Sequence, residues 1–210
     1  MRTADKTPAL NEDYAFLVSG MLELFETTYD VRWLELAIAL QKKQDATFWS
    51  ESIGRYAVGR SVPATLSLLF VETDGDSPSS NAISAMNLQR LGALTGNAAW
   101  AARPAVIFRS FGGHLQNAGF ELASLASAFE QSLLAPSYVV VTGGSRARAT
   151  HELLAEWRAK SVPMRFHILL PDKGTARSRV VRALPWTETL KPDPEVPVAY
   201  LCAAGACRRQ

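Results

Sequence analysis

A chain of 210 residues with 48% hydrophobic and 20% charged side chains can bury one good core and lies far from the composition of a disordered segment. A formal net charge of +2 is too small to argue for nucleic acid, no apolar run reaches bilayer length, and Met1-Arg2-Thr3-Ala4-Asp5 lacks the apolar centre of a signal peptide, so no membrane and a cytoplasmic location are expected. Residues 1–100 carry 8 basic and 12 acidic side chains and residues 101–210 carry 14 and 8, an asymmetry that implies two compositionally distinct parts.

Tyr14, Leu17, Val18, Met21, Leu22 and Phe25 recur at helical spacing, with Asn11 as cap and Glu12 and Asp13 in the first turn, where negative charge is favoured. Asp30 caps a second helix carrying Trp33, Leu34, Ala37, Ile38 and Leu40, and the short link predicts an antiparallel hairpin. From Ser50 to Thr73 the periodicity fails. Gly54, Gly59 and Pro63 interrupt it, and β-leaning pieces at 56–58 and 66–71 mark a long, partly stranded excursion.

The chain is organised around Glu72-Thr73-Asp74-Gly75-Asp76-Ser77-Pro78-Ser79-Ser80-Asn81, which leads into a third helix ending at Thr95-Gly96-Asn97. Two readings of it stand side by side. Ser79 can cap the helix with Asp74 and Asp76 near its positive end, or the same carboxylates, hydroxyls and amide can floor a polar pocket. A fourth helix from Ala98 carries Trp100, Ile107 and Phe111 to Gly112-Gly113. A fifth, over 118–134, turns Leu122, Ala126, Phe129 and Leu133 inward until Pro136 stops it.

Beyond Ala135-Pro136-Ser137 the pattern changes. Strands at 138–142, 166–170 and 198–202, with a helix over 147–160 presenting Leu153, Leu154 and Trp157, predict a small, mostly parallel α/β unit. The expected division is a helical domain over 1–135 and an α/β domain over 136–210.

Few local motifs carry chemistry. Thr142-Gly143-Gly144-Ser145 follows a strand but lacks both phosphate-loop signatures, so a tight strand-to-helix turn is the better reading and no cofactor is expected. Cys202 and Cys207 are not a Cys-x-x-Cys pair and are half a zinc site at most. With His114, His151 and His167 scattered, no metal site can be assembled. A reducing cytosol argues against a permanent bridge between the cysteines. Asp13 and Asp74 would serve as a carboxylate pair for glycoside chemistry if both helix mouths open into one pocket, and Trp49 and Tyr56 are either sugar-stacking rings or core and rim.

The ordered set of local texts says more. Asn11-Glu12-Asp13-Tyr14-Ala15-Phe16, then Leu40-Gln41 through Phe48-Trp49, then Asp74-Gly75 with Pro78-Ser79-Ser80-Asn81 and Asn87-Leu88-Gln89-Arg90-Leu91, then Val198-Ala199-Tyr200-Leu201-Cys202 with Cys207 follow one another. In this order they resemble the C-terminal portion of the spermatogenesis-associated, thioredoxin-domain-containing protein family, over residues 10–207. The resemblance implies a mainly α fold: a partial (α/α) toroid of helical hairpins, of the six-hairpin glycosidase kind, followed by a small C-terminal α/β unit. It also implies a carbohydrate ligand at the hairpin mouths, with Asp74 or Asp13 as acid/base and Tyr14, Trp49, Ser79 and Asn81 around the substrate.

Departures from the family pattern matter as well. The thioredoxin-like domain and the early hairpins are absent from this chain, Leu68 and Phe70 stand where the family carries Arg and Lys, and Ser50 replaces the usual acidic residue after Phe-Trp. Two functions follow as expectations. One is a sugar-active hydrolase or epimerase-like protein completed by self-association or by a partner polypeptide that supplies the missing hairpins. The other is a non-catalytic interaction module or remnant.

Overall fold

The computed structural model describes residues 8–59, 73–115 and 119–210; the expected β-leaning piece at 66–71, with Leu68 and Phe70, lies outside them. Helix α1 (Asn11–Thr28) and helix α2 (Val31–Phe48) form the expected antiparallel hairpin. Tyr29 turns the corner with a positive φ, and the Asp30 carboxylate accepts from the Arg32 N–H at 3.0 Å to cap α2. A short ladder pairs β1 (Trp49–Ser50) with β2 (Arg55–Tyr56). Helices α3 (Ser80–Thr95) and α4 (Ala98–Ser110) make a second hairpin, with Asn97 accepting from the Ala99 and Trp100 N–H groups. A one-turn helix α5 (Gly112–Leu115) and a 3-10 turn (Gly119–Leu122) lead to α6 (Ala123–Ser132), which packs on α3 and α4.

Three sequence expectations change in register. In α1 the buried stripe is Asn11, Ala15, Val18, Leu22 and Phe25, and Leu17 is outside it. Leu10, not Asn11, is the residue before the helix, so Asn11 turns its side chain into the core instead of capping. In the fifth predicted helix, Leu122, Leu125 and Ala128 are buried while Ala126 and Phe129 are exposed. The segment opens as a 3-10 turn and Leu122 stands before α6, which shifts the inward phase by one residue.

The C-terminal sheet has the order β4-β3-β5-β6, from β3 (Ser137–Gly143), β4 (Arg165–Pro171), β5 (Val198–Ala203) and β6 (Ala206–Arg209). Only β3 and β4 are parallel, joined through α7 (Arg148–Arg158); β5 and β6 run antiparallel, so the sheet is mixed rather than mostly parallel. Helix α8 (Gly174–Ala183), hidden in the sequence between Pro171 and Pro185, buries only Val180 and ties Arg179 to Glu35 of α2.

Alternation along β3 divides the sheet. Val139 and Val141 join Leu154 of α7 on one face, while Val140 joins Ile168 and Leu170 on the other and continues into the core of α1–α4. The core is therefore continuous across Pro136. A Cβ added at Gly143 would stand 2.6 Å from Thr150 Oγ1 and 3.2 Å from Pro197, so this glycine serves close packing of the strand-to-helix turn. No helix among the described residues is long and apolar enough to cross a membrane.

Candidate functional site

The N-terminal ends of α1 and α3 meet, and a buried polar seam joins them. Asn11 is fully buried; its Nδ2 donates to Ser80 Oγ at 3.0 Å, and its Oδ1 accepts from Gln44 Nε2 at 2.8 Å. The same Gln44 nitrogen donates to Ser84 Oγ at 2.8 Å. Asn81 presents its amide to the backbone of Tyr56 as a neighbouring strand would, accepting from the Tyr56 N–H at 2.9 Å and donating to the Tyr56 carbonyl at 3.0 Å. Four polar side chains at apolar-stripe positions of three helices are thus paired with one another, which offsets much of the cost of burying them, with Gln44 Oε1 left without a partner.

The carboxylates at the mouth have separate backbone partners. Asp74 is half-buried; its Oδ1 accepts from the Ser79 N–H at 2.7 Å and its Oδ2 from the Ser124 N–H at 2.8 Å, while its own N–H donates to the Glu121 carbonyl at 2.7 Å. One side chain therefore caps the start of α6 and pins the residue before α3. Ser79 occupies the capping position, but its buried hydroxyl has no partner; the expected Ser79 cap is replaced by Asp74 acting on the Ser79 amide. Asp13 is exposed and accepts from the Leu10 N–H at 2.7 Å. With Glu12, Phe16, Leu17 and Ser77 it lines an open hollow, which brings the Asp13 turn and the Asp74 loop to the same end of the hairpins.

The aromatic residues sit behind this mouth. Tyr14 packs edge-on against Phe48 at 5.5 Å, and the Trp49 ring lies between the Tyr56 ring at 5.1 Å and the Arg103 guanidinium at 4.4 Å. Trp49 is thus engaged by two protein groups, in line with the core-or-rim reading.

A second polar centre, Asp45, carried no motif in the sequence. Its Oδ1 accepts from Gln41 Nε2 at 2.9 Å and from the Tyr56 hydroxyl at 2.5 Å; its Oδ2 accepts from Trp100 Nε1 and pairs with Arg103 Nη1, both at 2.8 Å. Burial, reinforced by the Asp45 charge, pushes the Tyr56 hydroxyl well above its ordinary pKa, so it stays a donor. The signal was present in α2: Gln41 and Gln44 lie on the same buried stripe as Leu34, Ala37 and Phe48, and polar residues at such positions imply a paired network. Among the described residues no group of three or more His, Cys, Asp or Glu side chains is placed to hold a metal ion.

The fold is therefore of a mainly helical class, two packed hairpins closed by a small C-terminal sheet, with the motif residues gathered at the hairpin mouths. No protein-family model matches the chain. It is similar to spermatogenesis-associated protein 20 of Homo sapiens, 30% identical over 201 residues, covering 93% of this chain and 25% of that protein. The protein of the same name from Rattus norvegicus is also 30% identical over the same lengths, and an uncharacterized protein of Caenorhabditis elegans is 24% identical over 202 residues. This similarity supports assigning the chain to the spermatogenesis-associated protein 20 family, and the chain spans about a quarter of the length of the curated relatives it matches.

The geometry separates the two carboxylates by stability. Replacing Asp74 by Asn turns one backbone acceptor into a donor facing an N–H, and urea unfolding should show a loss of about 1–3 kcal/mol. Asp13→Asn keeps an acceptor at an exposed turn and should cost less than about 1 kcal/mol. Equal losses would contradict the bracing role of Asp74.

Proposed function

We propose that this chain is one part of a larger array of helical hairpins, a partial (α/α) toroid, and that the outward face of α1 is the edge against which further helices pack. One observation carries this. Leu17 and Leu24 of α1 and Leu10 just before it lie seven residues apart and are 49%, 38% and 36% exposed, with Phe16 beside them at 39%. Seven-residue spacing is the period of a helix–helix seam, and a Cβ at Gly20 in the same stripe would meet nothing within 4 Å, which leaves a groove for a facing side chain. Helix α1 carries no Lys or Arg; its Glu23 and Glu26 pair with Arg90 of α3, which leaves Glu12 and Asp13 at its first turn, so the fitting partner is a helix with an apolar face and a basic residue near that end.

The greater length of the relatives supports this reading, because it leaves room for such helices in the same polypeptide. The family resemblance adds a thioredoxin-like domain and the early hairpins ahead of this part. On that account the isolated chain works as an interaction module. Its exposed stripe should bind an apolar dye and drive concentration-dependent association in sedimentation velocity. The double variant Leu17→Glu/Leu24→Glu, changed only at exposed positions, should be monomeric with a Tm within a few degrees of wild type. A wild-type chain that stays monomeric and dye-silent at every concentration would contradict the proposal.

A carbohydrate-related role is the second reading, favoured by the open hollow at the α1 mouth. There Glu12 and Asp13 offer carboxylate acceptors for sugar hydroxyls beside the exposed Phe16 ring. Asp13, exposed and with one oxygen on the Leu10 N–H, is assigned as acid/base, while Asp74, Tyr14, Trp49, Ser79 and Asn81 form the frame behind it. Titration with mono- and disaccharides should then show binding that Phe16→Ala and Asp13→Asn weaken by about tenfold or more. The absence of binding by wild type would remove the sugar reading for this chain.

A further inference from the structure

The hairpin of β5 and β6 carries a group that neither reading uses. The Gln210 N–H donates to the Ala199 carbonyl at 2.9 Å, so 199 and 210 form a hydrogen-bonded pair. Alternation along the antiparallel ladder then makes 202 and 207 a non-hydrogen-bonded pair, the kind in which facing side chains approach most closely. Cys202 and Cys207 stand there with Cα atoms 4.0 Å apart and are joined by a disulfide. The sequence alone left open whether they are joined; the four intervening residues are the last of β5, a two-residue turn and the first of β6.

The two ends of the bridge differ. Cys202 is 4% exposed and faces Tyr138 of β3, whereas Cys207 is exposed on an edge strand paired with β5 alone. Exposed disulfides are the labile ones, and the exposed sulfur is the one an incoming thiolate can reach. Beside the bridge is a hollow of about 630 Å³, lined by both cysteines and by Tyr138, Trp186, Leu190 and Tyr200. The polar tips of its aromatic rings are already engaged. The Tyr138 hydroxyl donates to the Ala93 carbonyl at 2.8 Å, Trp186 Nε1 to the Leu94 carbonyl at 2.8 Å, and the Tyr200 hydroxyl to the Lys191 carbonyl at 2.7 Å. What the hollow offers a visitor is apolar ring surface.

We propose that Cys202–Cys207 is a thiol–disulfide exchange site whose adjoining hollow receives an apolar side chain next to the attacking cysteine of a dithiol peptide. A thiolate of the peptide attacks Cys207 Sγ; the Cys207–Cys202 bond breaks, and its electron pair leaves on Cys202 Sγ, which takes a proton from solvent. The second peptide thiol, once deprotonated, attacks the peptide sulfur of the mixed disulfide and releases Cys207, which is protonated in turn. The peptide's two thiols are oxidised to one disulfide, and the protein's disulfide is reduced to two thiols, a transfer of two electrons and two protons.

The test uses the full chain and follows the bridge by alkylation and mass measurement. A dithiol peptide with Leu or Phe beside its first cysteine should reduce the bridge about tenfold faster than the same peptide with Asp there. Thr189, exposed at the rim of the hollow, supplies the second variant. Thr189→Trp should abolish that preference and leave the rate with dithiothreitol within about twofold of wild type. The apolar peptide with its second cysteine replaced by serine should go no further than the mixed disulfide on Cys207 of the wild-type chain, read after acid quench as the added mass of one peptide. Equal rates for the two peptides, a preference that survives Thr189→Trp, or a bridge that stays oxidised in excess dithiol would overturn the proposal.

Discussion

Everything at the functional end of this molecule depends on one constraint: polar side chains buried where three helices converge must find each other. Asn11 of α1, Gln44 of α2 and Ser80 and Ser84 of α3 do so through bonds of 2.8–3.0 Å. An amide buried without a partner would cost more than its bond is worth, so the seam admits few alternative registers for the three helices. It fixes where α3 begins, and with it the loop that carries Asp74. That carboxylate in turn bonds the amides of Ser79 and Ser124 and so places α6.

The same constraint changes the meaning of the motif residues. A stretch holding Asp74, Ser79, Ser80 and Asn81 has the composition of a pocket floor, and in the fold these groups mostly face protein. Asn81 completes the edge of Tyr56, Asp74 has a backbone amide on each oxygen, and the Ser79 hydroxyl is buried. Of the residues at this end, Asp13 and its neighbour Glu12 remain open to a ligand. The Asp45 centre, at the residue after Gln44 in α2, works in the same way, linking α2, β2 and α4 through Gln41, Tyr56, Trp100 and Arg103.

Much of the fold was legible in the sequence because its helices obey the simple period. The α1–α2 hairpin, the Asp30 cap, the Asn97 turn and the strands around Val140, Ile168 and Ala199 were all marked by apolar spacing or cap chemistry. The failures have physical causes. Helix α8 hides because it presents three arginines and a single buried valine between two prolines. Strand β6 is exposed throughout and has no alternation to read. The sheet's mixed direction is set where β5 enters antiparallel to β3, a pairing sense that a strand-by-strand reading does not capture. At the mouth, residue types were visible but their partners were not: Asn11 reads as a cap until the structure places Ser80, distant in sequence, beside it.

The account's central claim is that the seam, rather than a ligand, is what these polar residues serve. A double-mutant cycle on Asn11→Ala and Gln44→Met, read by urea unfolding, tests it most directly. The claim predicts a coupling of about 1–2 kcal/mol between the two sites, because each leaves the other's amide unpaired in the core. Additive losses, with coupling below about 0.3 kcal/mol, would contradict it.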